Sequence, residues 1–287
     1  MRISADFCPK YGPGSGPQRR NVPMLSIQNY VRAESLDQAY QLNQNRRSHL
    51  LAGMLWLRQS DITVGTAIDL CDLGLDTIEE TPEEYRIGAT VPLRRLEHHQ
   101  GIAALTGGAV EAALKDIVGV QFRNMATVGG SIWGRFGFSD VLTVLLAADC
   151  EVELYKAGRI SLETFAAMPY DRDILTHVVL KKTPGPMAYH AVRNARTDFP
   201  VLTCAASCLD GQYKVVIGAR PGKAVVVHDE QGLLKAGLTP ESARAFADYA
   251  AETVPTGSNS RAGAEYRTHL VRVLTQRMLC QLADKEG

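Results

Sequence analysis

The chain has no excess of charge of either sign: 31 Lys and Arg residues balance 31 Asp and Glu over 287 positions. A nucleic-acid binder leaves a basic footprint, so that class is excluded. No apolar run approaches the roughly 20 residues of a membrane-spanning helix, so no membrane role is expected. The six cysteines contain no Cys-x-x-Cys pair, and only Cys204 and Cys208 lie close together, on one face of a predicted strand. They are expected to be small buried hydrophobes. The seven histidines form no metal constellation. Adjacent His98 and His99 would diverge by about a hundred degrees on a helix, so they cannot easily share an ion and are read as a solvated helix end. The opening Met1 to Cys8 lacks the apolar core of a signal peptide. Residues 1–23, with the turn-rich Lys10 to Pro17, read as a flexible tail or subunit-contact arm, and the protein is expected in the cytoplasm, where disulfides are not expected.

Against these absences stands one dense segment, Arg123-Asn124-Met125-Ala126-Thr127-Val128-Gly129-Gly130-Ser131, followed by Ser139-Asp140 and the apolar run Val141 to Ala148. Adjacent glycines have no Cβ and tolerate positive φ, so the segment reads as an extended stretch ending in a tight turn whose free N–H groups can face a phosphate. Thr127 and Ser131 add hydroxyls. Ser139 is a predicted N-cap, and Asp140 suits the first turn of the following helix. Asp140 is also a candidate acceptor for sugar or ribityl hydroxyls. A Cβ placed at Gly129 is expected to block an approaching pyrophosphate while leaving the chain folded.

The length favours two domains. Ser35 with Gln38 reads as a capping box before a helix. Glu151 to Tyr155 alternates with period two, Ala157-Gly158 turns, and Ile174 to Leu180 is a strand. Lys182 to Pro186 is the linker candidate. Beyond it, Tyr189–Val192, Val201–Cys208 and Tyr213–Gly218 read as antiparallel neighbours, with Ala224–His228 a fourth. Thr239-Pro240 opens a helix, and a final helix carries Leu270, Leu274, Met278 and Leu282 on one face.

Taken together, Gln121-Phe122-Arg123-Asn124, Thr127-Val128-Gly129-Gly130-Ser131, Ser139-Asp140 and the run from Leu145 to Leu154 resemble the FAD-binding medium subunits of molybdenum hydroxylases of the xanthine dehydrogenase and carbon monoxide dehydrogenase type. The resemblance runs from about Ser26 to Leu282. Leu50-Leu51-Ala52-Gly53-Met54-Leu55-Trp56-Leu57 occupies the place of the family's first flavin loop, usually Ala-Gly-Gly followed by hydroxyl and polar residues. Asp61 to Leu70 with Leu73-Gly74-Leu75-Asp76, Arg193 to Pro200, Ile217 to Pro221 and Ala264 to Arg267 resemble further motifs of the family. Met54, Leu55 and Trp56 depart from it, replacing the second glycine and the polar donors; they are equally readable as core residues.

The resemblance implies an α+β fold: a two-lobed FAD-binding domain of the molybdopterin dehydrogenase (PCMH-like) type at 24–183, then a C-terminal domain of antiparallel sheet plus helices at 187–287. It implies noncovalent FAD, since no histidine lies within either loop, although His49 stands just before the first. It also implies partners, a molybdopterin-binding large subunit and a two-iron, two-sulfur small subunit, with NAD a possible electron acceptor. No metal or iron–sulfur cluster is expected in this chain, since the cysteines do not cluster. The implied cofactor-binding set is Leu50, Leu51, Ala52, Gly53, Met54, Leu55, Trp56 and Leu57, with Thr127, Val128, Gly129, Gly130 and Ser131 completing the cradle. Asp140 would reach the ribityl or ribose hydroxyls, Leu175 would pack on the flavin ring, and Arg193 or Arg196 would face its pyrimidine end; a structural ion pair remains an equal alternative for both arginines. No catalytic acid or base is expected, because the flavin carries the chemistry. Two other readings stay open, a flavin-free scaffold subunit and a small stand-alone flavin oxidase. The isolated chain could also form a homodimer.

Overall fold

The computed structural model describes residues 24–286. The expected N-terminal tail lies outside these. The first lobe contains β1 (Ser26–Arg32), α1 (Leu36–Asn43), β2 (Ser48–Leu51) and β3 (Thr63–Asp69). Its parallel sheet has the order β1-β3-β2, so the central β3 is covered on both edges. Ser35 caps α1 by accepting from the Gln38 N–H, but the Gln38 side chain accepts from Glu34 instead of closing the box on Ser35.

The second lobe holds β4 (Ile78–Glu80), β5 (Glu84–Gly88), α2 (Leu93–Glu97), α3 (Gln100–Leu105), α4 (Ala109–Leu114), α5 (Val120–Met125), α6 (Val128–Trp133), α7 (Asp140–Ala147), β6 (Cys150–Leu154), β7 (Gly158–Ser161), α8 (Leu162–Ala167) and β8 (Leu175–Lys181). Its five strands order as β4-β5-β8-β6-β7, all antiparallel. The alternation read in Glu151 to Tyr155 appears as β6, with Cys150, Val152 and Leu154 facing the core.

The expected extended segment before the glycine pair is instead α5. Arg123 explains why it is helical here: its guanidinium reaches Glu97 on α2 at 2.8 Å, with both side chains about 95% buried, and Arg94 supplies a second cation to the same carboxylate. Burial of a charge is tolerated because it is paired. His98 and His99 fall at the α2–α3 junction, where the His99 ring accepts from the Ile102 N–H and caps α3.

The C-terminal unit comprises β9 (Met187–Arg193), β10 (Pro200–Leu209), β11 (Gln212–Gly218), β12 (Val225–Val227), α9 (Pro240–Thr253) and α10 (Ala264–Glu286). Its sheet is antiparallel in the order β12-β11-β10-β9. The two long helices pack together and α10 covers one face of the sheet, burying Leu270, Leu274, Met278 and Leu282 with Cys204 and Cys208. Arg267, fully buried, has no carboxylate partner among the described residues; it donates to the carbonyls of Val201, Gly257 and Ala262 and to Asn259, tying α10 to the loop before it.

Helix α7 joins the two halves. All eight of its residues are buried, and it packs against β10 and β11 on the face opposite α10. Thr143 and Thr203 meet at 3.1 Å, and the Ser207 hydroxyl donates to the Ala147 carbonyl. Gly218 is required at this crossing, since a Cβ there would stand 2.3 Å from the Thr143 hydroxyl. The uniformly apolar run after Asp140 is therefore a helix buried on every side.

Candidate flavin site

The two predicted loops meet between the lobes. Leaving β2, the chain turns sharply at Ala52-Gly53-Met54 and enters a short helical turn at Leu57–Gln59. Gly53 is needed because the loop lies directly on the Met125 carbonyl: a Cβ would come within 1.9 Å of that oxygen. Met54 stands where the family's second glycine is expected, and its φ of 57° is left-handed. That conformation costs a side-chain-bearing residue roughly 1–2 kcal/mol.

The second loop differs from its expected form. Thr127 is the N-cap of α6, with Gly129 and Gly130 in the first helical turn, and neither glycine has positive φ. Its N–H groups are engaged: Val128 donates to Val91, Gly129 to Ala89, Gly130 to the Thr127 hydroxyl and Ser131 to the Thr127 carbonyl. Gly129 is a packing glycine, since a Cβ would lie 2.6 Å from the Ala89 Cβ and 2.7 Å from its carbonyl oxygen. The expectation that Gly129 could carry a side chain with the fold intact is therefore corrected. By contrast, no protein acceptor among the described residues receives the N–H groups of Gly53, Met54, Leu55 or Trp56. Unpaired donors gather on the first loop, not on the glycine pair.

Two cavities adjoin at this loop, and both are lined by Ala52, Gly53, Met54 and Thr127. The first, about 310 Å³, is walled by Leu50, Leu55, Trp56, Leu57, Gly130, Ser131, Asp140 and Arg193. It also takes in Ile117, Phe122, Phe136, Phe138 and Phe199, which sequence reasoning did not single out as site residues. The second, about 470 Å³, includes Leu51 and the charged or polar Arg58, Asp69, Asp76 and Asn124. Val128 and Gly129 are buried and line neither cavity. Leu175, expected at the flavin ring, is likewise absent from both walls; it is packed in the core of the second lobe on β8.

Asp140 occupies the first position of α7, with Ser139 capping the helix through the Leu142 N–H. The Arg193 guanidinium reaches the carboxylate at 2.7 Å and also donates to the Asp198 carbonyl, and the Tyr189 hydroxyl donates to the same carboxylate oxygen. Burial pushes the Asp140 carboxyl up, and Arg193 and Tyr189 oppose that shift. Arg196 is exposed, pairs with Asp116 at 2.9 Å and lines neither cavity. His49 is on β2 with its Nδ1 buried and unpartnered.

A donor-bearing loop between an aromatic-walled cavity and one that carries charged side chains has room for an elongated dinucleotide, with planar rings needing flat apolar walls and a pyrophosphate needing N–H donors. The chain belongs to the family described as the FAD-binding domain in molybdopterin dehydrogenase, which residues 25–183 match, and residues 187–282 match the CO dehydrogenase flavoprotein C-terminal domain. It is 28% identical over 268 residues to the protein YgfM of Escherichia coli K12, covering 91% of this chain and 99% of that one. It is 25% identical over 300 residues to the xanthine dehydrogenase FAD-binding subunit of E. coli O157:H7, covering 92% and 99%. The fold is shared with a chain of the carbon monoxide dehydrogenase of Hydrogenophaga pseudoflava, at a TM-score of 0.81 and 20% identity, over 91% of this chain and 98% of that one.

Among the described residues there is no group of His, Cys, Asp and Glu side chains able to hold a metal ion, and no helix is long and apolar enough to cross a membrane.

Proposed function

We propose that this chain is the flavin-carrying electron-transfer subunit of a molybdenum hydroxylase complex. It would take electrons from the iron–sulfur small subunit, fed by a molybdopterin-binding large subunit, and deliver them to NAD⁺ or another acceptor. The observation that carries this reading is the row of unpaired N–H groups from Gly53 to Trp56 at the junction of the two cavities, in a chain of this family.

In this reading the backbone of Gly53 to Trp56 holds the pyrophosphate, with the Thr127 hydroxyl beside it. Asp140 accepts from ribityl or ribose hydroxyls, and Arg193 opposes the rise that burial imposes on that carboxyl and supplies positive charge to the wall. FAD, when bound, supplies the redox chemistry. The protein's part is to orient it, exclude water and set the local charge.

A flavin-free scaffold is the second reading, favoured by the internal pairing of the 128–131 N–H groups and by the polar donors missing at 54–56. The visible spectrum of the purified chain, before and after incubation with FAD and followed by acid release, separates the two. Yellow protein releasing FAD is expected. Protein that stays colourless with FAD, alone and in its assembled complex, would establish the scaffold.

A further inference from the structure

The first loop has replaced polar side chains by a tryptophan, and the surroundings of that indole are themselves aromatic. Trp56 lies 5.8 Å from Phe136, 5.5 Å from Phe138 and 5.9 Å from Phe199 between ring centroids, and it stacks on Phe199 at 28°. Phe136 and Phe138 are parallel to within 5°. Phe138 meets Phe199 edge-on at 4.6 Å. Arg261 stands 4.9 Å from the Phe199 ring and is held by Asp198 at 3.5 Å, which fixes the base of the group. All four rings line the first cavity, yet Trp56 remains 43% exposed. An indole serving only as core would be covered.

The backbone beneath Trp56 is constrained as well. Met54 is in the left-handed region, and Arg58 donates to the Met54 carbonyl and Gln59 to that of Trp56, closing the turn on which the indole rides. Trp56, two residues on from the left-handed Met54, lines the cavity. Aromatic faces attract flat heteroaromatic rings by offset stacking, which needs no hydrogen-bond donor.

We propose that Trp56, backed by Phe138 and Phe199, is the stacking platform for a planar heteroaromatic ring of the bound dinucleotide. This chain then holds by stacking what a polar loop would hold by side-chain hydrogen bonds. The inference rests on the flavin-binding reading above.

The experiment is titration of the full-length Trp133→Phe protein, in which Trp56 is the remaining tryptophan, with FAD, riboflavin and ADP. Indole fluorescence is followed alongside calorimetric affinity. FAD is expected to quench the emission, and whichever of riboflavin and ADP loses affinity in Trp56→Ser carries the stacked ring. Trp56→Ser should weaken FAD binding about five- to hundredfold, the range for losing one stacked ring, and Trp56→Phe should retain most of the affinity. Calorimetric FAD binding with no quenching, and unchanged affinity in Trp56→Ser, would overturn the platform while leaving the function standing. Absence of FAD binding to the parent would overturn both.

Discussion

Arg193, the last residue of β9, reaches across 2.7 Å to Asp140, the first residue of α7, and both side chains are more than nine-tenths buried. The pair links the C-terminal sheet to the second lobe at the cavity wall. Removing one partner leaves a buried charge uncompensated. Arg193→Met is therefore expected to destabilise the fold by about 3–5 kcal/mol, and the double variant with Asp140→Leu to recover much of that loss. Chemical denaturation of the two singles and the double gives the coupling directly; additive losses would disprove it.

Met54 offers a test of backbone strain. Met54→Ile places a β-branched side chain at a left-handed position and should cost about 1–2 kcal/mol more than the parent already does. Met54→Gly removes the strain but also the packing of Met54 on Leu51, Val64 and Ala67, so it should stay within about 1 kcal/mol of the parent. Thermal unfolding of the two variants side by side checks the contrast.

The two glycines of α6 should behave differently. Gly129→Ala must push against the Ala89 backbone and is expected to lose about 1–3 kcal/mol or fail to accumulate as folded protein. Gly130→Ala meets only the Thr127 hydroxyl at 3.0 Å, and its effect should be confined to the cap, about 1 kcal/mol. Equal melting temperatures for the two would refute the distinction.

His177 makes stability depend on acidity. Its ring is buried on β8, within reach of Arg86 and Glu153, with Glu79 and Arg159 nearby, and burial together with Arg86 holds its pKa below the ordinary histidine value. The unfolded chain therefore takes up this proton first, at about pH 6.5. The contribution is complete above that pH and is lost as the pH falls from there toward the folded-state value. Denaturation midpoints at pH 7.5 and 5.5 should show the loss, and His177→Gln should reduce the difference.

The C-terminal strands, the capped α9 and the apolar face of α10 were legible because each is specified locally, by alternation, by Thr239-Pro240 and by helical spacing. So was the position of Ser139 as a cap. The segment Gln121–Asn124 was not, because its helix is held by a buried pair with Glu97, 26 residues earlier, and no local pattern reveals that partner. Gly129 is illegible for a similar reason: a glycine that admits the backbone of a neighbouring turn and one that admits a ligand look alike in sequence. Phe136, Phe138 and Phe199 are not legible as a group, since only the tertiary fold brings them beside Trp56. Leu175 was placed by likeness alone, and its neighbours put it in the core.

The linker Lys182–Pro186 is stitched on both sides: Lys182 donates to Glu83 of the second lobe, while Pro186 and Pro184 accept from Cys208 and Asp210 of the C-terminal unit. With the ion pair at Asp140 and α7 wedged into the sheet, the halves are expected to melt as one unit. A ligand resting on Trp56 from one half and Phe199 from the other would act as a noncovalent rivet. At a hundredfold excess over its dissociation constant it would add about 2.7 kcal/mol to the cohesion of the whole chain, so occupancy can be read from a shift of one shared unfolding transition without any redox partner.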